Sequence, residues 1–165
     1  MIEISKGIFV GNDDDYRYGW SHERNWSFVH AAKDPWHREF VGYKGRSAPK
    51  ESDEYYYAIR NKEIALNIID VENPDWFNIN MIKMAIGFTI KHNFEGYNVL
   101  IHCNHGESRS PSLGLLYLAT VGEIPNESFE ASEAAFIGKY KHYNPKAGIR
   151  KHLQMHWYEY MSTYE

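Results

Sequence analysis

The sequence predicts one α/β domain, and three observations carry that expectation. A chain of 165 residues suits a single domain with its own core, taken here as residues 1–165. Short apolar runs of strand length alternate with stretches of helical periodicity. The apolar fraction of 43% and the charged fraction of 24% are those of an ordinary globular protein, which argues against disorder and against a membrane protein.

In chain order, residues 8–10 form a short apolar run that ends at Gly11-Asn12 and read as a strand with a turn. Residues 26–32 read as a second strand. Residues 33–62 are polar, aromatic and punctuated by Pro35, Gly42, Gly45 and Pro49, which predicts a loop with a helical turn around 55–60. Residues 63–69 are apolar and β-branched enough for a buried strand, and Asp70 stands at its end. Ile79, Ile82, Ile86 and Ile90 recur at helical spacing behind a possible cap at Asn78, so a helix is expected over 78–92. Residues 97–102 read as a central strand that runs straight into Cys103. Pro111 suits the first turn of a helix over 112–120 that is apolar nearly all round and therefore buried. Two further helices are expected at 126–140 and 145–160, separated by the turn signal Tyr143-Asn144-Pro145.

The formal charge of -4 provides no global field for nucleic acid or an anionic lipid surface, so neither is expected as a partner. No stretch reaches the roughly 18 apolar residues of a membrane helix. The residues MIEISKGIFV lack a basic segment followed by a long apolar run, so a cytoplasmic protein is expected. The one cysteine, Cys103, excludes an internal disulfide and suits a reducing compartment.

The chemistry is concentrated in His102-Cys103-Asn104-His105-Gly106-Glu107-Ser108-Arg109-Ser110, which places a thiol and a guanidinium at the two ends of a loop between strand and helix. Successive N–H groups curling into a helix N-terminus form an anion-binding concavity, reinforced by the helix dipole. Asn104, His105, Gly106, Glu107 and Ser108 supply that loop, and Gly106 allows the backbone to turn without a Cβ clash. Arg109 offers parallel donors to two phosphate oxygens, which a lysine cannot do. Thiolates at helix N-termini and beside cations form far more readily than in free cysteine, so such a nucleophile needs no adjacent base. Ser110 is placed to hydrogen-bond the sulfur, and His102 to brace the loop through its ring nitrogens. A lone cysteine at a strand end is ordinarily a small buried hydrophobe, and a lone arginine a surface charge. Here the spacing, the glycine, the preceding strand and the following helix agree, and that conjunction favours function.

Residues 102–110 match the HCxxGxxRS signature at every fixed position and resemble the protein tyrosine and dual-specificity phosphatases. Residues 4–12 look like the opening segment of dual-specificity phosphatases, and Tyr143-Asn144-Pro145 with Gly148 resembles the segment leading into their last helix. The resemblance covers nearly the whole chain except residues 33–62. It implies a central, mostly parallel sheet flanked by helices, and catalysis through a phosphocysteine with no metal and no cofactor. It also implies an aspartate acid upstream of the cysteine, in a loop after a strand. Asp70 fits because it sits where the strand ends; Asp75 is the rival, and follows Asn73-Pro74 where it would favour a first helical turn.

The expected substrate is a phosphorylated protein or small phosphomonoester, with phosphate, sulfate or vanadate as loop ligands. Relatives acting on inositol phospholipids tend to carry lysines inside this loop, so Glu107 points toward phosphotyrosine or mixed phosphoprotein substrates. His37, Arg38, Lys44 and Arg46 belong either to a solvated loop or to the entrance of the site. The histidines His30, His37, His152 and His156 bring no matching carboxylate or cysteine set, so no metal site is expected. The alternative reading is a phosphate-binding module without turnover. A sulfurtransferase or an arsenate reductase uses a cysteine loop of related shape but leaves Ser110 and the whole-chain resemblance unexplained.

Overall fold

The structure is a computed structural model that describes residues 1–163. Its centre is one six-stranded sheet in the order β1-β2-β6-β3-β5-β4. The strands are β1 (Ile2–Ser5), β2 (Ile8–Asn12), β3 (Trp26–His30), β4 (Tyr57–Arg60), β5 (Glu63–Leu66) and β6 (Asn98–Cys103). The four inner strands run parallel, and β1 and β4 close the two edges antiparallel. Every residue of β6 after Asn98 is buried, as a parallel strand covered on both faces requires.

The helices are α1 (Asp13–Tyr18), α2 (Arg38–Val41), α3 (Ile79–Phe94), α4 (Arg109–Thr120), α5 (Phe129–Lys139) and α6 (Ala147–Ser162). On one face α3 and α4 pack against the inner strands, with α5 and α6 outside them around the main core. On the other face α1 and residues 33–41 cover a smaller core of Ala32, Trp36 and Ala65 with Tyr16 and Phe40. Aromatic rings gather on this face too. The Tyr16 ring stacks on His102 at 5.0 Å and meets Phe28, His30 and Trp36 edge-on.

The expected α/β fold is the one observed, and Asn78 caps α3 through Met81 N–H at 2.9 Å as its position suggested. Two local expectations are corrected, and one strand is added to those expected. Residues 55–60 form no helical turn: 57–60 are the edge strand β4, turned back onto β5 through Asn61 at φ 53°. Residues 35–41 are helical rather than loop, entered through an extended Asp34. Residues 2–5, too short for a periodic signal, pair with β2 as β1. No described helix is long and apolar enough to cross a membrane.

Candidate active site

β6 lies between β2 and β3, all three parallel, and delivers Cys103 at its C-terminal end. Arg109 is the first residue of α4, so residues 104–108 bridge a strand end to a helix N-terminus. Gly106 has φ 71°, and a Cβ there would stand 3.0 Å from the Gly11 carbonyl, so both conformation and space demand glycine. Two carbonyls of this loop are pinned from outside. Tyr140 Oη donates to Gly106 O at 2.6 Å, and Asn144 N–H donates to Glu107 O at 2.8 Å. A peptide plane points its carbonyl and the next N–H in opposite directions, so pinning the carbonyls outward leaves the following amides for the concave side.

Cys103 is buried, with Sγ 3.1 Å from Ser110 Oγ. The Ser110 hydroxyl also donates to Gly11 O at 2.9 Å, so its single hydrogen stands between a carbonyl and the sulfur. Arg109 is only 8% exposed. Its Nη1 donates to Ile68 O at 3.2 Å and its Nη2 to Asn104 Oδ1 at 2.7 Å. Its Nε is buried without a hydrogen-bond partner among the described residues. A buried guanidinium N–H left unsatisfied costs about 1–3 kcal/mol, which an oxyanion would recover.

A cleft of about 270 Å³ opens over this loop and is lined by Asp70, Cys103, His105, Glu107, Ser108, Arg109, Asn144 and Lys146. Asp70 Oδ1 accepts from Ser108 Oγ at 3.0 Å, and Lys146 N–H donates to that hydroxyl at 2.9 Å. Asp70 thus enters the same cleft as Cys103.

Behind the loop runs a chain of polar contacts. His102 Nδ1 lies 3.1 Å from Asp13 Oδ1, His102 Nε2 lies 2.5 Å from His30 Nδ1, and His30 Nε2 lies 2.9 Å from Glu63 Oε2. Burial pushes His102 down to about 4, so at neutral pH it carries one ring proton. Asp13 can only accept, which places that proton on Nδ1. Partial burial raises the Asp13 pKa, but hydrogen bonds from His102, Asn104 and Trp36 outweigh it and hold the carboxyl well below the usual range.

The chain aligns with solved structures over nearly its whole length. It is similar to DUSP15, with a TM-score of 0.69 at 17% identity over 99% of this chain and 90% of that one. It is similar to the human tyrosine phosphatase-like serine/threonine/tyrosine-interacting protein, at 0.68 and 20% over 96% of each. A third match is PTPMT1 in complex with PI(5)P, at 0.62 and 16% over 97% of this chain and 96% of that one. The fold is that of the dual-specificity phosphatases. No protein-family model and no curated protein matches the chain.

Within this dual-specificity phosphatase fold, Cys103, Arg109, Asp70, His105, Glu107 and Ser108 meet at one cleft, and Ser110 meets the sulfur from below. Asp75 stands exposed in the 3-10 turn Pro74–Trp76, its N–H bonded to Asn73 Oδ1, and is not among the residues lining the cleft. The Asn104 side chain is taken up by Arg109, Asp13 and Asp34 O, not turned to the cleft. His102 reaches Asp13 and His30 and so supports the loop from behind, without a ring contact to the loop backbone. His37 is no entrance residue. It is buried and bonded to Tyr43 Oη and Glu54 O, and burial lowers its pKa. Arg38 is engaged with Asp34 and Gly45 O. Sequence reasoning missed Asp13 and Lys146 as neighbours of the site. Asp13 is one of three consecutive aspartates at the start of α1, and nothing local separates it from Asp14 and Asp15.

Proposed function

We propose that this chain is a cysteine-dependent phosphomonoesterase that acts on phosphotyrosine or mixed phosphoprotein substrates through a phosphocysteine intermediate. One observation carries the reading: a buried thiol, a buried guanidinium with an unsatisfied Nε and a carboxylic acid share a single cleft at a strand-to-helix turn. Cys103 Sγ attacks phosphorus in line and the P–O bond to the leaving group breaks. Asp70 gives its proton to the leaving oxygen, and Arg109 with the loop amides holds the three equatorial oxygens. A water then attacks the phosphocysteine, Asp70 takes the proton of that water, and the S–P bond breaks. Ser110 turns its hydroxyl hydrogen to the departing sulfur. No step calls for a metal.

Glu107 and Asp70 offset Lys146 and Arg109 among the cleft residues, a mixed lining that suits a singly phosphorylated side chain better than a polyanionic headgroup. PTPMT1 was solved with PI(5)P, and a phosphoinositide is therefore the competing substrate class to assay. A lone nucleophilic thiol works best in a reducing compartment, which supports a cytoplasmic setting.

A phosphate-binding module without turnover is the second reading, favoured by the engagement of Asp70 Oδ1 with Ser108. Steady-state hydrolysis of p-nitrophenyl phosphate separates the two. Turnover that Cys103→Ser abolishes, with tungstate binding retained, is the expected result. Full activity in that variant, or tungstate binding without turnover in the unaltered protein, overturns the enzymatic reading.

A further inference from the structure

Asp13 takes no part in the chemistry proposed above, yet the sheet carries it to the floor of the loop. β2 and β6 are parallel neighbours in a register that sets Asn12 beside Cys103, so the first residue of α1 emerges directly beneath residue 104. Three donors converge on its carboxylate. Trp36 Nε1 at 2.9 Å and His102 Nδ1 at 3.1 Å reach Oδ1, and Asn104 Nδ2 at 3.0 Å reaches Oδ2. The other end of that amide, Asn104 Oδ1, accepts from Arg109 Nη2 at 2.7 Å.

A carboxylate only accepts and a guanidinium only donates, so an amide placed between them has one satisfactory orientation. Asp34 O adds a second acceptor on the Nδ2 side at 3.1 Å, which reinforces the same choice. Asn104 is thus locked with its oxygen toward Arg109. With Nη2 held there and Nη1 held on Ile68 O, two nitrogens of the guanidinium are fixed by the protein while Nε keeps no partner among the described residues.

We propose that Asp13 is a positioning residue for Arg109: acting through Asn104, it fixes the guanidinium in its anion-binding pose before substrate arrives. This rests on the reading of Arg109 as the phosphate clamp. The physical gain is preorganisation. A long side chain already held in its bound rotamer loses less freedom when the oxyanion docks. His102 and Trp36 both donate to Oδ1, which leaves Oδ2 for Asn104.

The test is tungstate binding to the full chain by calorimetry, beside p-nitrophenyl phosphate turnover. Asp13→Asn keeps the shape of the residue but turns one of its oxygens into a donor facing donors. Tungstate affinity is expected to fall about tenfold, with kcat falling as well. In an Asn104→Ala background the same substitution is expected to change affinity no further, because the link is already cut. Trp36→Phe removes a donor from Oδ1 alone and is expected to lower Tm while tungstate affinity holds. The proposal is overturned by unchanged affinity in Asp13→Asn, by effects that add in the double variant, or by an equal loss in Trp36→Phe. Should Asp13→Asn fail to fold, Asn104→Ala with unaltered tungstate affinity overturns it. An unaltered protein that binds tungstate without hydrolysing aryl phosphate removes the enzymatic reading and leaves this test intact; one that binds no tungstate removes both.

Discussion

At the scale of single residues, Asp70 and Asp75 are close in sequence and face different surroundings. Asp70 lines the cleft and touches Ser108, whereas Asp75 is exposed on its own turn. Asp70→Asn is expected to lower kcat by about 100-fold to 10,000-fold, the usual contribution of a positioned acid. The loss is expected to be larger for phenyl phosphate than for p-nitrophenyl phosphate, whose leaving group departs without much protonation. Asp75→Asn is expected to leave both rates in place. Steady-state rates on the two esters check this, and equal losses from both aspartates would refute the assignment. The loop side chains were readable because thiol, glycine, guanidinium and hydroxyl lie within nine consecutive residues. Asp13 was not, since its place under Asn104 depends on a strand pairing across 91 residues of chain.

At the scale of elements, the site depends on how α6 meets the segment after β5. A Cβ on Gly148 would stand 1.9 Å from Val71 O, so only glycine lets the start of α6 approach the chain beside Asp70. Gly148→Ala must push residues 71–72 outward, and Asp70 with them. We expect a loss of about 1–3 kcal/mol in stability from the overpacking. We also expect kcat to fall about tenfold to 100-fold through the misplaced acid. The loop itself is anchored separately through Tyr140 and Asn144, so tungstate affinity is expected to change little. Denaturant titration and kinetics together test this; a variant that turns over normally contradicts it. The strand, loop and helix of residues 97–120 were legible because their periods are strong and local. The edge strands β1 and β4 were not, because four residues with one buried position each carry too little pattern.

At the scale of the whole molecule, several buried histidines make stability depend on pH. Burial pushes His102 and His152 down to about 4, the latter also through the charge of His156, and burial lowers His37 and His92 too. In the unfolded chain these rings titrate near about 6.5. Between that value and about 4 the unfolded state binds more protons than the folded one, so stability falls as pH falls through this window and is fully present above it. His102 alone accounts for up to about 3 kcal/mol. Asp13, also held low, adds a loss of the same sign at still lower pH. The urea midpoint is expected to drop steadily from pH 7 to pH 4.5, and a midpoint constant over that range would show these rings to be accessible in the fold.

Sequence alone determined the α/β character, the strand-to-helix turn and the pairing of Cys103 with Arg109, because each rests on residues that are neighbours along the chain and on geometry that a helix N-terminus imposes wherever it occurs. Tertiary structure decided which aspartate enters the cleft, that His37 is buried, and that Asp13 reaches Arg109 through Asn104. Those outcomes follow from the parallel register of β2, β6 and β3 and from the close approach at Gly148. Pairings between distant segments leave no period and no spacing in the sequence, and only the packed sheet brings them within hydrogen-bonding reach.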